Sequence, residues 1–258
     1  MKEVKDPVHR RSLLPWQRTN RSLMTEHPTI RNAMHQAVAA ALGTLDAVFP
    51  AKTDAAIEPA AASFQPSPRL AEALAFAVEK HGTQARKGTT IPYVTHLFAV
   101  AGRVGESGGN EDEMVAALLH DAVEDGGGAP VLAEIRKRFG AAVADIVDGC
   151  TDDDGGSDKA PWLERKKAYL QSLSLASLPV LRVACADKLH NAESIARDLR
   201  DFGPTIFQRF RGDRESTLWY YRSLARVFGA LIQDHPDLDP GFRILVRDLR
   251  ETVAGLEA

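Results

Sequence analysis

The sequence predicts an all-α protein, and three features of its 258 residues support this fold class. Apolar residues recur at three- and four-residue steps over most of the chain, which is the spacing of an amphipathic helix. Residue pairs that are typical of helix starts precede several of these segments. The sequence contains no set of alternating apolar and polar segments that would indicate the strands of a sheet. We therefore expect one domain of about eight helices.

The composition is typical of a globular protein, with 44% hydrophobic and 26% charged residues. The net charge of −3 and the pI of 6.2 do not favour a nucleic-acid polymer as partner. A membrane is not expected either, since no run of about 18 apolar residues is present. The two cysteines, Cys150 and Cys185, lie in apolar surroundings and form no disulfide framework. We expect buried free thiols and a cytoplasmic location.

Residues 1–66 are interpreted as an N-terminal extension and linker. Residues 28–49 have the apolar spacing of one amphipathic helix, and residues 50–68 are rich in Ala, Pro and Ser, as linkers are. The extension has two possible roles: a segment for partner binding or oligomerisation, and a dispensable, partly disordered arm. A homo-oligomer is therefore one state that the sequence leaves open.

Residues 67–258 are expected to form the folded domain. Ser67 followed by Pro68 is a favourable helix start, because the hydroxyl can cap the first turn and proline fits the first helical position. Asn110 with Glu113 has the spacing of a capping box. The third helix is expected to continue into His120 and Asp121. The predicted helices cover residues 68–81, 93–104, 111–121, 130–139, 141–150, 162–173, 180–199, 215–233 and 242–256.

The stretch His-Asp-Ala-Val-Glu-Asp, residues 120–125, concentrates chemistry at the end of an apolar helix. Four of its six residues can bind a metal or move a proton: His120, Asp121, Glu124 and Asp125. Desolvating unpaired charge is costly, so a purely structural helix rarely places these residues beside a buried face. The stretch therefore indicates a metal-dependent hydrolase centre.

Two further segments offer ligands that would complete a metal shell, His96 and Asp187. Two imidazoles and two carboxylates without a thiolate suit a six-coordinate Mn²⁺ or Fe²⁺ better than structural zinc. Glu124 projects near the same helical face as His120, so it and Asp125 are placed to orient a water or pass a proton. Each residue also has a structural interpretation. Taken alone, His96 is more typical of a satisfied core histidine. Asp187 is also consistent with a turn cap or a partner of Lys188, and Glu124 and Asp125 with solvated residues at a helix end.

The order of these residues resembles the signature of the HD-domain metal-dependent phosphohydrolases. Arg86-Lys87-Gly88 before Pro-Tyr-Val-Thr-His, then LLHDAVED, then ADKLHN is similar to the hydrolase domain of RelA/SpoT proteins. Since no synthetase domain is attached, the chain resembles a stand-alone small alarmone hydrolase. The resemblance covers residues 69–228, and the motifs are specific only in combination.

The resemblance implies an HD-domain helical bundle with a Mn²⁺ site between its helices. It implies hydrolysis of the 3′-pyrophosphate of guanosine tetra- or pentaphosphate, with Glu124 and Asp125 assisting the attacking water. The implied metal ligands are His96, His120, Asp121 and Asp187. The implied substrate contacts are Arg86, Lys87, Asn191 and Tyr220, with Tyr221 as the alternative to Tyr220.

The distribution of basic residues supports a phosphorylated ligand, because lysines and arginines cluster near the site segments of an acidic chain. These residues are Arg86, Lys87, Lys159, Arg165, Lys166, Lys167, Lys188 and Arg222. Lys166 and Lys167 are also consistent with a solvated helix face. Residues 152–154 resemble a cation-binding cluster but are more typical of a flexible, solvated acidic loop, which could carry a mobile lid.

The sequence departs from the family pattern around residues 89–91, at Leu97 and in the long loop 203–213. These departures concern the base and ribose side of the pocket, so the substrate stays open between guanosine compounds and an adenosine analogue, another nucleotide or NADPH. A catalytically idle nucleotide-binding module is the third hypothesis.

Overall fold

The computed structural model describes residues 66–152, 161–210, 212–235 and 237–257, and their architecture confirms the all-α class. These residues contain no strand, only a single antiparallel bridge between Ala85 and Pro92. The helices in this part of the chain are α1 (Pro68–His81), α2 (Val94–Glu106), α3 (Glu111–Leu119), α4 (Ala122–Gly126), α5 (Ala129–Phe139), α6 (Ala141–Cys150), α7 (Trp162–Leu173), α8 (Leu178–Phe202), a 3-10 helix (Gly203–Arg209), α9 (Arg214–Asp234) and α10 (Pro240–Gly255).

The second of the two units into which the chain divides, Ala62–Ala258, holds all the described residues. The helix predicted within residues 28–49 lies outside them, and the domain boundary after residue 66 stays a prediction. None of the described helices is both long and apolar enough to cross a lipid bilayer.

The predicted helix starts are confirmed by their caps. The Ser67 hydroxyl accepts a hydrogen bond from the Arg69 amide over 3.1 Å, with Pro68 in the first helical turn of α1. At α3, the Asn110 side chain accepts from the Glu113 amide and the Glu113 carboxylate accepts from the Asn110 amide, which completes the capping box. These bonds satisfy amides that have no partner inside the helix. Local sequence therefore defines where these helices begin.

The long helix α8 is the centre of the bundle. It packs against α2, α3, α6 and α10, and residues 180–187 are buried without interruption. A helix that is apolar around its whole circumference belongs in a core, and this segment is almost entirely apolar. The largest fully buried side chains of the bundle core include Phe76, Leu97, Phe228 and Phe242. The segment that carries Asp187 is thus held rigidly from several sides.

One arginine interrupts this apolar segment. Arg182 is 4% exposed, and its guanidinium donates to Glu113 Oε1 at 2.8 Å and to Asp239 Oδ1 at 2.9 Å. It also donates to the Ser107 carbonyl. Because a buried charge is tolerated only when it is paired, this network links α8 to α3, to the end of α2 and to the N-cap of α10.

The segment predicted as a loop after α8 contains the 3-10 helix Gly203–Arg209, in which Ile206 and Phe207 are buried. Its C-terminal residue, Arg209, lies over Gly88 in the loop before α2. Gly88 has φ +71°, and a Cβ added there would lie 2.6 Å from Arg209 Cδ. Arg209 is also paired with Asp198 of α8 at 2.7 Å. The long loop noted in the sequence therefore packs against the Arg-Lys-Gly segment.

Candidate functional site

His120 and Asp121 lie at a break between α3 and α4. The sequence predicted a helix that continues through both residues, but α3 ends at Leu119. The reason is local: His120 Nδ1 donates to the Ala117 carbonyl over 2.8 Å, and this carbonyl is the acceptor that the Asp121 amide would use in a continuing helix. The chain turns here, and Asp121 becomes the N-cap residue of α4.

The four residues predicted as metal ligands come together from three segments. His96 Nε2 lies 3.2 Å from Asp187 Oδ1, and His120 Nε2 lies 3.0 Å from Asp121 Oδ2. The cross distances are 3.6 Å from His96 to Asp121 and 3.7 Å from His120 to Asp187. One donor atom from each of His96, His120 and Asp187 lies within 4.8 Å of the other two. We call these four residues the His/Asp cluster.

The donor atoms of the cluster fit a divalent metal. The Nε2 atoms of His96 and His120 are buried and make no hydrogen bond among the residues the structure describes. A buried nitrogen without a partner is costly. Because His120 Nδ1 donates its proton to a carbonyl, Nε2 is the ring nitrogen that faces the carboxylates and would bind a metal. Imidazole nitrogens and carboxylate oxygens in this arrangement are ligands for transition metals.

His96 is oriented by a second histidine. Its Nδ1 lies 2.7 Å from Nδ1 of His190, so one of the two nitrogens must carry the shared proton. Burial, and then the neighbouring His96 imidazole and Arg86 guanidinium, lower the pKa of His190 to about 3. A neutral His190 can accept the proton of His96 Nδ1, which leaves His96 Nε2 unprotonated toward the cluster. Both imidazoles thus direct Nε2 toward the same place.

The two carboxylates of the cluster are held in their anionic form. Burial raises the pKa of each, but the neighbouring His120 imidazole beside Asp121, and the Lys188 ammonium with the imidazoles of His120 and His96 beside Asp187, bring both pKa values well below the usual range. Lys188 Nζ lies 2.6 Å from Asp187 Oδ2. The Tyr93 hydroxyl donates to Asp121 Oδ2 over 2.5 Å. These contacts fix the negative charge that a metal ion requires.

Glu124 lies in an environment that opposes its ionisation. Burial, and then the negative charges of Asp152 and Asp121, raise its pKa to about 7. The Asp152 amide donates to Glu124 Oε1 over 2.8 Å and so fixes the carboxyl group. A carboxyl group with a pKa near the working pH is suited to take and return a proton. This residue can therefore act as a general base at neutral pH.

Asp125 has a different environment although it is the next residue. Its side chain is exposed, and Asp125 Oδ2 accepts a hydrogen bond from Gln84 Nε2 over 2.8 Å. The residue lines both of the cavities described next. The Glu-Asp pair thus combines one half-buried carboxyl group with one that faces the solvent side of the site.

A cavity of about 720 Å³ lies next to the His/Asp cluster, and its size is typical of small-molecule sites. All four residues predicted to contact substrate line it: Arg86, Lys87, Asn191 and Tyr220. Tyr221 lines it too, so the geometry does not choose between the two tyrosines. Asn191 connects the cavity to the cluster. Its Nδ2 donates to Asp187 Oδ1 over 2.5 Å, and its Oδ1 accepts from Arg86 over 2.6 Å.

A second cavity of about 440 Å³ adjoins the first and shares Lys87, Asp125 and both tyrosines with it. Glu124 lines only this second cavity. The two adjoining cavities are together lined by Glu124, by the exposed carboxylate of Asp125 and by several basic side chains.

Only some of the basic residues predicted to lie near the site line its cavities. Lys166 lines both cavities and pairs with Asp152, whereas Lys167 is exposed, so the solvated-face interpretation holds for Lys167 only. Arg222 lies elsewhere, paired with Glu257. Lys159 lies outside the described residues.

The interpretation of residues 152–154 as a solvated loop is wrong for Asp152. Its side chain is 6% exposed and lies 2.9 Å from Arg165, while Lys166 provides a second ion pair. Residues 153 and 154 are outside the described ranges. Asp152 is therefore part of the site, next to Glu124.

Sequence reasoning assigned no site role to four residues that the structure places at the cluster or in the cavities: Tyr93, Asp152, His190 and Arg209. Tyr93 and His190 stand inside the motifs that carry the resemblance, so their position was a usable signal. Asp152 and Arg209 stand in segments without a motif, and only tertiary packing brings them to the site.

The fold and the site together define an all-helical protein in which a buried cluster of histidines and carboxylates adjoins a cavity lined by basic residues. The HD domain family matches residues 73–217, and the chain belongs to this family. The resemblance drawn from the motifs is thereby confirmed. Since HD domains are phosphohydrolases, the prediction of an enzyme is confirmed as well.

Several relatives have names that describe one activity. The Mus musculus guanosine-3′,5′-bis(diphosphate) 3′-pyrophosphohydrolase MESH1 is 38% identical over 183 residues, which are 70% of this chain and 94% of the relative. The Drosophila melanogaster protein of the same name is 33% identical over 181 residues, 69% of this chain and 95% of the relative. A solved structure, described as a metazoan ortholog of SpoT that hydrolyzes ppGpp, has a TM-score of 0.56 and 26% identity. It covers 72% of this chain and 96% of its own.

Proposed function

We propose that this protein is a Mn²⁺-dependent phosphohydrolase that removes pyrophosphate from the 3′ position of guanosine tetra- or pentaphosphate, giving GDP or GTP. The observation that carries the proposal is the His/Asp cluster with its two unpartnered imidazole nitrogens, beside a cavity lined by Arg86 and Lys87. The names of the relatives and the solved structure support the choice of substrate. Two buried free thiols, Cys150 and Cys185, are consistent with a cytoplasmic enzyme.

The metal would be held by His96, His120, Asp121 and Asp187. Mn²⁺ suits this mixed set of nitrogen and oxygen ligands. When bound, such an ion supplies Lewis-acid chemistry: it polarises a phosphoryl oxygen and lowers the pKa of a bound water.

The cavity residues bind and orient the nucleotide. Arg86 offers a planar fork of donors and Lys87 a point charge, and both are suited to the substrate's phosphates. Asn191 lies between Arg86 and Asp187, so it can hydrogen-bond the ribose or a phosphate close to the cluster. Tyr220 lines the cavity, and its buried hydroxyl has no hydrogen-bond partner among the described residues.

In the proposed reaction, water attacks the phosphorus that is bonded to the 3′ oxygen. The bond between that phosphorus and the 3′ oxygen breaks, and pyrophosphate leaves with the oxygen of the water. Glu124 takes the proton of the attacking water, and the 3′ oxygen gains a proton to become a hydroxyl. Asp125 orients the water from the side of the open cavity. Positioned proton transfer of this kind typically contributes about 10²–10⁴-fold to a rate.

The proposal is tested with purified protein, Mn²⁺ and guanosine tetraphosphate. We expect release of pyrophosphate, its loss on metal chelation, and no detectable turnover in His120→Ala. The matched control is His235→Ala, since His235 is exposed at the end of α9, away from the cluster. If the metal-loaded protein turns over no 3′-pyrophosphorylated nucleotide, the proposal is wrong.

A substrate panel separates the remaining hypotheses. Faster turnover of the adenosine counterpart or of NADPH would keep the hydrolase centre and change the substrate. Tight binding by calorimetry without any product would indicate an idle nucleotide-binding module instead. The half-buried carboxyl group of Glu124, with its raised pKa, argues against the idle module, because binding alone needs no proton acceptor.

A further inference from the structure

Gln84 connects Asp125 to a buried histidine that none of the roles assigned above uses. His81 ends α1 and is 3% exposed. Its Nδ1 lies 2.8 Å from Gln84 Oε1, and Gln84 Nε2 lies 2.8 Å from Asp125 Oδ2. The three side chains therefore form one hydrogen-bonded chain that begins in the core and ends at the exposed carboxylate.

The chemistry of the three groups fixes the direction of this chain. An ionised carboxylate can only accept hydrogen bonds, so the amide nitrogen of Gln84 must face Asp125. The amide oxygen of Gln84 then faces His81, whose Nδ1 must carry the proton that this oxygen accepts. The hydrogen-bonded chain therefore requires the Nδ1–H tautomer of His81. This tautomer in turn excludes the flipped orientation of the Gln84 amide, which would place a donor against a donor.

The first two members are rigidly held. The ring of His81 stacks on the ring of Tyr93, with centroids 5.0 Å apart and an angle of 17° between the planes. The backbone of Gln84 donates to the His81 carbonyl over 2.7 Å and accepts from the Tyr93 amide over 2.9 Å. Both backbone polar groups of Gln84 are therefore hydrogen-bonded, and its side-chain oxygen is held by His81.

Asp125 is the residue of this chain whose side-chain orientation depends on a neighbour. Asp125 lies on the five-residue helix α4, and its side chain is exposed. An exposed carboxylate without a partner populates several rotamers, and ordering it at the moment of reaction costs entropy. A donor supplied by a rigid neighbour removes that cost beforehand.

We propose that His81 and Gln84 are positioning residues: His81 fixes the amide of Gln84, which holds the Asp125 carboxylate in the orientation that receives the attacking water. The inference rests on the proposed function, since that water belongs to the proposed reaction. His81 lines neither cavity and Gln84 lines the larger one, and the role proposed for both residues is to position Asp125 rather than to bind the substrate.

The kinetic test compares variants that keep the shape and change one hydrogen bond. Gln84→Glu keeps an acceptor for His81 but places a second carboxylate against Asp125. His81→Phe keeps the ring stacked on Tyr93 but removes the donor, whereas His81→Asn retains a donor. We expect kcat to fall about tenfold or more in the first two, with KM changed less than about twofold, and to recover in part in His81→Asn. Thr83→Ala, an exposed change in the same turn, is the control.

A double-variant comparison distinguishes positioning from general damage. If Gln84 acts only through Asp125, adding Gln84→Ala to Asp125→Asn causes no further loss of kcat. Equal kcat values in Gln84→Glu, His81→Phe and the Thr83→Ala control would overturn the proposal, as would fully additive losses in the double variant.

A readout that does not depend on activity keeps this inference separate from the proposed function. The ¹⁵N spectrum of the histidine side chains in the wild-type protein should show His81 as the Nδ1–H tautomer. An Nε2–H tautomer would overturn the hydrogen-bonded chain even in an active enzyme. If the expected tautomer is found but the wild type does not hydrolyse the nucleotide, the proposed function fails and the chain of contacts stands.

Discussion

Glu124 and Asp125 are adjacent acidic residues, but the structure gives their carboxyl groups different burial and different neighbours. Glu124 is surrounded by other negative groups and by the bundle, so its pKa rises to about 7. Asp125 faces the cavities and is held by a neutral amide. Two acidic residues whose environments differ in this way are a usual basis for acid and base roles at one site.

Glu124 should determine the acid limb of the pH profile. Because its pKa is raised, Glu124 keeps its proton up to about pH 7 and becomes a base only as the pH rises through that value. We expect wild-type kcat/KM to increase with pH in this range and then level off. Glu124→Gln should retain bound metal, lose about 10²–10⁴-fold in kcat and lose this limb.

The measurements are steady-state kinetics across pH and metal analysis of the purified variant. Glu106→Gln serves as the control, since Glu106 is an exposed glutamate on α2. Persistent turnover in Glu124→Gln, or loss of the metal, would show that the role assigned to Glu124 is wrong.

Single residues were predictable from the sequence when they stood in a motif. His96, His120, Asp121 and Asp187 were named from their order along the chain, and the structure brings them together. Asp152 was not, because its ion pairs with α7 depend on tertiary packing and no local pattern encodes them.

Among the helices, α8 carries both the apolar centre of the bundle and the cluster residue Asp187. Its N-terminal half is kept in place by Arg182, which joins three other elements through buried polar contacts. The position of Asp187 therefore depends on this ion network as well as on apolar packing.

Removing the charge of Arg182 should destabilise the whole domain. In Arg182→Met the carboxylates of Glu113 and Asp239 lose their partner, and breaking a buried pair typically costs about 3–5 kcal/mol. Equilibrium urea unfolding measures this loss as a lower midpoint. Arg200→Met changes an exposed arginine on the same helix and should shift the midpoint little. Equal midpoints for the two variants would contradict the role given to the network.

Helix starts were predictable because caps are local, as Ser67 and Asn110 show. The end of α3 was not, since the apolar pattern continues up to His120, where the His120 side chain takes up the Ala117 carbonyl. The 3-10 helix after α8 was missed for a similar reason: its glycine and proline indicate a loop, whereas buried Ile206 and Phe207 order it.

For the whole molecule, the bundle brings distant parts of the chain to one point. His96 comes from α2, His120 and Asp121 from the break after α3, and Asp187 from α8. All the residues assigned to the site follow the predicted N-terminal extension. The site should therefore be complete in the domain alone.

A chain that begins at Ser67 is expected to keep the hydrolase activity of the full chain, with kcat/KM within about a factor of two, because each proposed site residue and the Ser67 cap are retained. The check is kinetics of both chains in parallel, with the mass in solution measured for each. A shortened chain that is folded by circular dichroism but inactive would refute the expectation. A change in mass would assign the extension to oligomerisation.

The close approach of Arg209 to Gly88 limits which substitutions the two positions can accept. Any side chain at position 88 would meet the aliphatic part of Arg209, so the two positions are sterically coupled although they are far apart in sequence. Replacing the glycine first would displace either the arginine or the loop that carries Arg86 and Lys87. Shortening residue 209 first would remove the clash but leave the positive φ, which still favours glycine. A substitution at residue 88 is therefore expected to be tolerated only after residue 209 has been replaced by a smaller side chain.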